Sequence, residues 1–167
     1  MKFKREHFCC SPKLLRNIDE IQEIETSVAK IAWAGHFRFQ AKDHTYEHQS
    51  GYNRALAEEL LKLGWTMQTK LCAEPRLIGD ASKNDVFVEV QFGNSATLYR
   101  DYYKFHYGLM HGLLSLAVLI VPTTPTAFFP TRPDSIANMA EYDLACRCYK
   151  ILPIPVPILV IGLLPEN

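Results

Sequence analysis

Charge of neither sign is in excess: the 167-residue chain carries 18 Lys plus Arg against 18 Asp plus Glu, a formal net charge of zero. That excludes a protein that coats nucleic acid by charge alone, but leaves room for a local basic cleft, because the field that matters to binding is local. Long hydrophobic runs are missing as well. Gly112 to Pro122 holds about ten apolar residues, roughly half a bilayer span. The apolar tail from Ile151 to Pro165 is interrupted by Pro153, Pro155 and Pro157. Both read as buried strands, and no membrane partner is expected. Met1 to Phe8 is charged and lacks the apolar run of a signal peptide. The cysteines (Cys9, Cys10, Cys72, Cys146, Cys148) are odd in number, and two pairs are too close in sequence for an ordinary disulfide framework. Free thiols in a reducing cytoplasm are expected. The cysteines also lack the two-residue gap of a zinc knuckle, and His44 and His48 lack the third ligand and the glutamate placement of a metalloprotease helix.

What is present is core material. Hydrophobic residues make up 48% and charged residues 22%, which suits one compact domain over 1–167. Ser11-Pro12 starts a helix, and Leu14, Ile18, Ile21, Ile24, Val28 and Ile31 continue it at helical spacing. Trp33 to Gly51 resists assignment. A second helix spans about Tyr52 to Leu63, with Gly64 as its stop. Trp65 to Leu71 and Arg76 to Asp80 read as strands, Ala81 to Asp85 as a polar turn, and Val86 to Phe92 as the clearest strand of the chain. A helix from near Ser95 turns Leu98, Tyr102 and Phe105 inward. Leu116 to Val121 is a buried strand, Pro122 to Pro133 a loop, Asp134 to Tyr149 a helix, and Ile158 to Leu163 a final strand. This order predicts a three-layer α/β architecture with a mixed central β-sheet flanked by helices.

Alternation along Val86 to Phe92 turns Val86, Val88, Val90 and Phe92 to one face and Phe87, Glu89 and Gln91 to the other. An acid and an amide thus stand about 7 Å apart along a strand bounded by aliphatic sequence. A charge there costs several kcal/mol unless paired or bound to a metal. A second acid is wanted. Asp85 lies about 13 Å along the same strand; Asp80, folded back by the turn, is the better partner. Two carboxylates with a carbonyl, that of Val90, suit a Mg2+ ion that keeps several waters and can engage a phosphate oxygen. Gln91 can orient an attacking water, although an amide is no base at neutral pH.

Asp80, eight intervening residues, and Glu89-Val90-Gln91 within "EVQFGN" resemble the active-site segment of the BglII/BstYI group of type II restriction endonucleases, part of the wider PD-(D/E)xK nuclease fold. Most of that fold has lysine in the third position, whereas this group has glutamine, as here. The match covers roughly Asp80 to Phe105. The resemblance implies Asp80 and Glu89 as metal ligands, Gln91 as the water-positioning residue, Mg2+ as cofactor, double-stranded DNA as partner, and a homodimer cutting a short palindromic site. Two departures stand out: the chain is short for the group, and Gly79 replaces the proline before the first acid.

For DNA, Asn94 and Ser95 follow the catalytic strand where a helix begins, a position that favours phosphate and lets Asn meet adenine. Arg100 and Lys104, four apart, can hold backbone phosphates. Arg132, Asp134 and Ser135 in "TRPDSIAN" can reach base edges, although Asp134 or Ser135 also suits a helix cap. The function expected is a type II restriction endonuclease. A repair or recombination nuclease, and a non-catalytic DNA-binding protein on the same fold, are the alternatives.

Overall fold

Unbroken aliphatic runs form the middle of the molecule. The computed structural model describes residues 1–33, 37–40, 42–132 and 136–165. In chain order the elements are β1 (Phe3–Phe8), α1 (Pro12–Leu15), α2 (Asp19–Lys30), β2 (Arg38–Gln40), β3 (Thr45–Glu47), α3 (Gln49–Lys62) and β4 (Thr66–Cys72). There follow β5 (Leu77–Lys83), β6 (Val86–Val90), α4 (Thr97–Met110), β7 (Leu116–Pro122), α5 (Pro125–Phe128), α6 (Tyr142–Ile151) and β8 (Ile158–Leu163). Every residue of β7 and β8 is buried, as strands covered on both faces must be.

The main sheet has the order β1-β8-β7-β6-β5-β4. β6, β7 and β8 are parallel, and β1, β5 and β4 join antiparallel. One face packs Val86, Val88, Val118, Ile120 and Leu159 against Ile21, Ile24 and Val28 of α2 and Leu56 and Leu60 of α3. The other packs Phe87, Leu119, Ile158 and Val160 against Leu98 and Phe105 of α4 and Ala145 and Tyr149 of α6. This is the three-layer mixed plan that the order of elements predicts.

Several boundaries move, each for a physical reason. The first helix breaks after Leu15, with Ser11 Oγ accepting the Leu14 N–H at 3.2 Å; Leu15 is buried and Leu14 exposed, one residue off the expected stripe. Strand β1 is an edge whose charged residues hide its alternation, the usual protection of an edge. The expected turn at Ala81–Asp85 is strand as far as Lys83. Lys83 Nζ is pulled out of the turn by Glu23 of α2, at 2.6 and 2.8 Å, and the chain reverses at Asn84-Asp85, with Asn84 at φ 48°. The unassigned stretch holds the β2–β3 hairpin. The expected loop after Pro122 contains α5, whose Phe128 packs edge-on against Trp33. The last helix starts at Tyr142 rather than Asp134, because Asn94 bridges Met139 and the Ala140 N–H bonds Gly93 O at 2.8 Å, holding that stretch extended.

Gly79 has a packing reason. A Cβ there would lie 1.7 Å from Cζ of the buried Phe87 ring, so neither alanine nor the proline usual at this point of the fold fits without moving that ring. Gly79→Ala is expected to cost about 1–3 kcal/mol, lowering Tm by several degrees in a thermal melt.

Candidate active site

The β5–β6 hairpin sets the two acids together. Ala81 pairs with Val88, so the next step of that register brings Asp80 opposite Glu89. Met67 pairs with Ala81 and Thr69 with Gly79, which places Gln68 opposite Asp80 in turn. Gln68, Asp80 and Glu89 therefore form one row across three strands, and Gln68 adopts a φ of 53°. β5 stays paired with β4 along this row but meets β6 only over Ala81–Lys83. Where the strands part, the Val90 N–H donates to Asp80 Oδ2 at 2.8 Å, so a carboxylate takes up the donor that the ladder leaves. The site lies at the carboxyl end of β6, the end at which open α/β sheets bind ligands.

Helix α4 supplies the other wall. Glu89 is 4% exposed, and its Oε1 accepts from Lys104 Nζ at 2.7 Å. Lys104 also pairs with Asp101 at 3.2 Å. The other oxygen of Asp101 accepts from Gln91 Nε2 at 2.5 Å, and Gln91 Oε1 accepts from the Gly93 N–H at 2.8 Å. Glu89, Lys104, Asp101 and Gln91 thus form one continuous network, all four buried. Glu89, Gln91 and Lys104 line a cleft of about 320 Å³ together with Gln68, Arg76, Ile78, Asp80, Val90 and Arg100, with Asp101 behind them.

The electrostatics follow from three carboxylates near one buried ammonium. Burial, followed by the charges of Asp101 and Asp80, pushes Glu89 up to about 8, although Lys104 pulls the other way. Burial also raises Asp80, against the Val90 N–H and Lys104. The carboxylates of Asp80, Glu89 and Asp101 outnumber the one buried ammonium, while Arg76 and Arg100 are exposed at the rim. Asp80 Oδ1 and Glu89 Oε2 have no partner among the described residues, so two hard oxygen donors are free for a cation. Among the described residues no three His, Cys, Asp or Glu side chains converge as a metal cage. A cation here would complete its shell with carbonyl and water, the habit of Mg2+.

The remaining sequence candidates are distributed as follows. Arg100, exposed, lines the cleft, and its charge reaches Asp80. Lys104, expected to hold backbone phosphates, is buried in the acidic network and lines the cleft. Asn94 and Ser95 precede α4 and are not part of the cleft wall: Asn94 Oδ1 accepts the Ala96 N–H at 2.9 Å, and the Ser95 N–H bonds Asn138 O at 2.6 Å. Arg132 donates to Glu47 O at 3.1 Å and lies over the Tyr46 ring at 5.1 Å, joining its loop to β3. Asp134 and Ser135 lie outside the described residues. Asp85 is at the hairpin tip, away from the cleft.

Two residues escaped the sequence reading. Asp101 had a signal: Leu98, Asp101, Phe105 and Gly108 share one helical stripe, and all are buried, so an acid at an inward position called for a partner. Arg76, an exposed arginine just before β5, had none, since only the fold of the hairpin aims it at the cleft.

A model of the family described as "Restriction endonuclease BglII/BglIII" matches residues 8–163. The chain belongs to this family. It is therefore a restriction endonuclease, a hydrolase that cuts DNA at specific sites, and enzymes of this kind generally use a divalent metal ion. Two solved structures share the fold of this endonuclease. The crystal structure of restriction endonuclease BglII complexed with a DNA 16-mer is 20% identical with a TM-score of 0.78, and the match covers 100% of this chain and 78% of that one. Free BglII is 21% identical with a TM-score of 0.69, and that match covers 99% of this chain and 81% of that one. No curated protein matches the chain. No helix among the described residues of the endonuclease is long and apolar enough to cross a membrane.

Proposed function

We propose that this endonuclease, as one domain over 1–167, hydrolyses double-stranded DNA in the Asp80–Glu89–Gln91 cleft with Mg2+, acting in the cytoplasm. The observation that carries the reading is the row that sets Asp80 against Glu89, with one oxygen of each unpartnered among the described residues. Asp80, Glu89 and the Val90 carbonyl would hold the ion. A bound Mg2+ supplies Lewis-acid neutralisation of charge at the phosphate. Gln91, its amide locked between Asp101 and Gly93, presents a fixed hydrogen-bonding edge to an attacking water. Arg76 and Arg100 flank the acids and provide the positive charge that a phosphate backbone needs to approach them. Asn94, Ser95, Arg132, Asp134 and Ser135 stay candidates for DNA contact beyond the cleft, in base reading or backbone positioning. BglII was crystallised with DNA, and by this likeness the partner is duplex DNA, bound by a homodimer in which each protomer cuts one strand of a short palindrome.

The test is incubation of the protein with unmethylated plasmid and phage DNA, with Mg2+ and with EDTA. Discrete Mg2+-dependent bands are expected; a smear would favour a structure-guided repair nuclease, and no cutting a binding-only protein. Arg76→Ala is expected to weaken DNA binding about equally across sequences and to reduce the log-log salt slope by about 1. Fluorescence anisotropy over a salt series measures both; an unchanged slope removes Arg76 from the backbone contact.

A further inference from the structure

Among the buried side chains of the described residues one is cationic, and it stands in the cleft: Lys104, 4% exposed. A lysine taken out of water is costly unless well paired. Here it is paired twice, with Glu89 and with Asp101. An ion pair that serves packing alone can usually be replaced by aliphatic side chains without loss; this one faces a polar cleft instead. Gln91, two residues beyond Glu89 on the chain, brings no charge, because its amide is neutral and both ends are bonded to Asp101 and Gly93.

We propose that Lys104 is a further catalytic residue, its ammonium delivered from α4 to the scissile phosphate, and that Asp101 is the positioning residue that holds it there. The inference rests on the nuclease reading of this cleft. In hydrolysis the water oxygen bonds to phosphorus and one P–O ester bond breaks, its electron pair leaving on the ester oxygen. The water gives a proton to solvent, and the leaving oxygen takes one from solvent. Negative charge on the phosphoryl oxygens peaks between these events, where a preorganised ammonium in a poorly hydrated site is most effective. Asp101 has no exposed surface, so it acts through Lys104 and Gln91. Its Oδ2 accepts from Gln91 and its Oδ1 lies 3.2 Å from the Lys104 ammonium, so it sets the spacing of the two.

Because Asp101 reaches both positions, the ammonium can be moved. Wild type, Lys104→Met, Gln91→Lys and the double variant are compared in single-turnover cleavage of plasmid DNA with Mg2+. DNA affinity is measured separately in EDTA by anisotropy, and folding by circular dichroism. Lys104→Met is expected to fold, to bind DNA within about threefold of wild type, and to cleave about 100-fold more slowly or worse. The double variant, with its lysine on the strand, is expected to cleave faster than Lys104→Met but short of wild type, because the Gln91 amide is gone. Cleavage by Lys104→Met at the wild-type rate overturns the proposal, and so does a loss accounted for entirely by weaker binding. Should Lys104→Met not fold, Lys104→Gln is measured in its place, and its cleavage at the wild-type rate overturns the proposal in the same way. A wild type that binds DNA but never cuts removes the nuclease reading itself.

Discussion

Asp80→Asn and Glu89→Gln proteins are expected to fold normally and to lose DNA cleavage by about a thousandfold or more. Each substitution keeps size and shape but removes one of the two oxygen donors on which a divalent ion would rest, and with it the charge that draws the ion in. Folding survives because the ion is not part of the core and because removing a carboxylate relieves repulsion among Asp80, Glu89 and Asp101. Asp85→Asn, at the hairpin tip, is expected to cut like wild type. If Asp85→Asn is dead and Asp80→Asn active, the pairing of acids is wrong. A pH effect accompanies this. Glu89 sits above its unfolded-state pKa, so the folded protein binds the extra proton, and stability falls as pH rises from the normal glutamate range toward about 8. In EDTA, the melting temperature of wild type should therefore drop between pH 5.5 and 8.5, and Glu89→Gln should flatten that drop. A steeper decline in the variant contradicts the sign.

Asp101→Ala is the substitution expected to cost the most stability. It leaves the Gln91 amide without its acceptor and Lys104 with Glu89 alone, all in a place with little water. Breaking a buried ion pair from one side costs about 3–5 kcal/mol, which in a chain of this size lowers Tm by about 10 °C. Cleavage should fall about 100-fold at a temperature where the variant is still folded, because Gln91 and Lys104 lose their orientation together. Asp101→Asn should be milder in stability, since an amide oxygen can still face the Lys104 ammonium. It cannot also accept from Gln91, whose amide is held in one sense by the Gly93 N–H, so cleavage should suffer more than Tm. A melt and a single-turnover assay separate the two; equal losses in both would reduce Asp101 to a structural role.

Local pattern alone determines a good part of this protein. Strands β6, β7 and β8 are legible because period-two alternation and unbroken aliphatic runs are properties of neighbouring residues. Glu89 and Gln91 are legible for the same reason, as polar exceptions on an apolar strand. The choice of Asp80 over Asp85 also follows from reach along the chain, and the register of β5 against β6 agrees with it. What sequence could not decide depends on partners far away in the chain. Ala81 to Lys83 look like a turn until Glu23, sixty residues earlier, draws Lys83 into a strand. The start of the last helix moves to Tyr142 because residues 93 and 94 claim the backbone of 139 and 140. Lys104 reads as a surface cation by composition, and only the packing of α4 against β6 turns it inward to Glu89. Asp101 and Arg76 join the site in the same way. A side chain's periodicity is set by its neighbours in sequence, but its charge environment is set by whatever the fold brings within a few ångströms, and that decided which polar residues of this endonuclease face the acids.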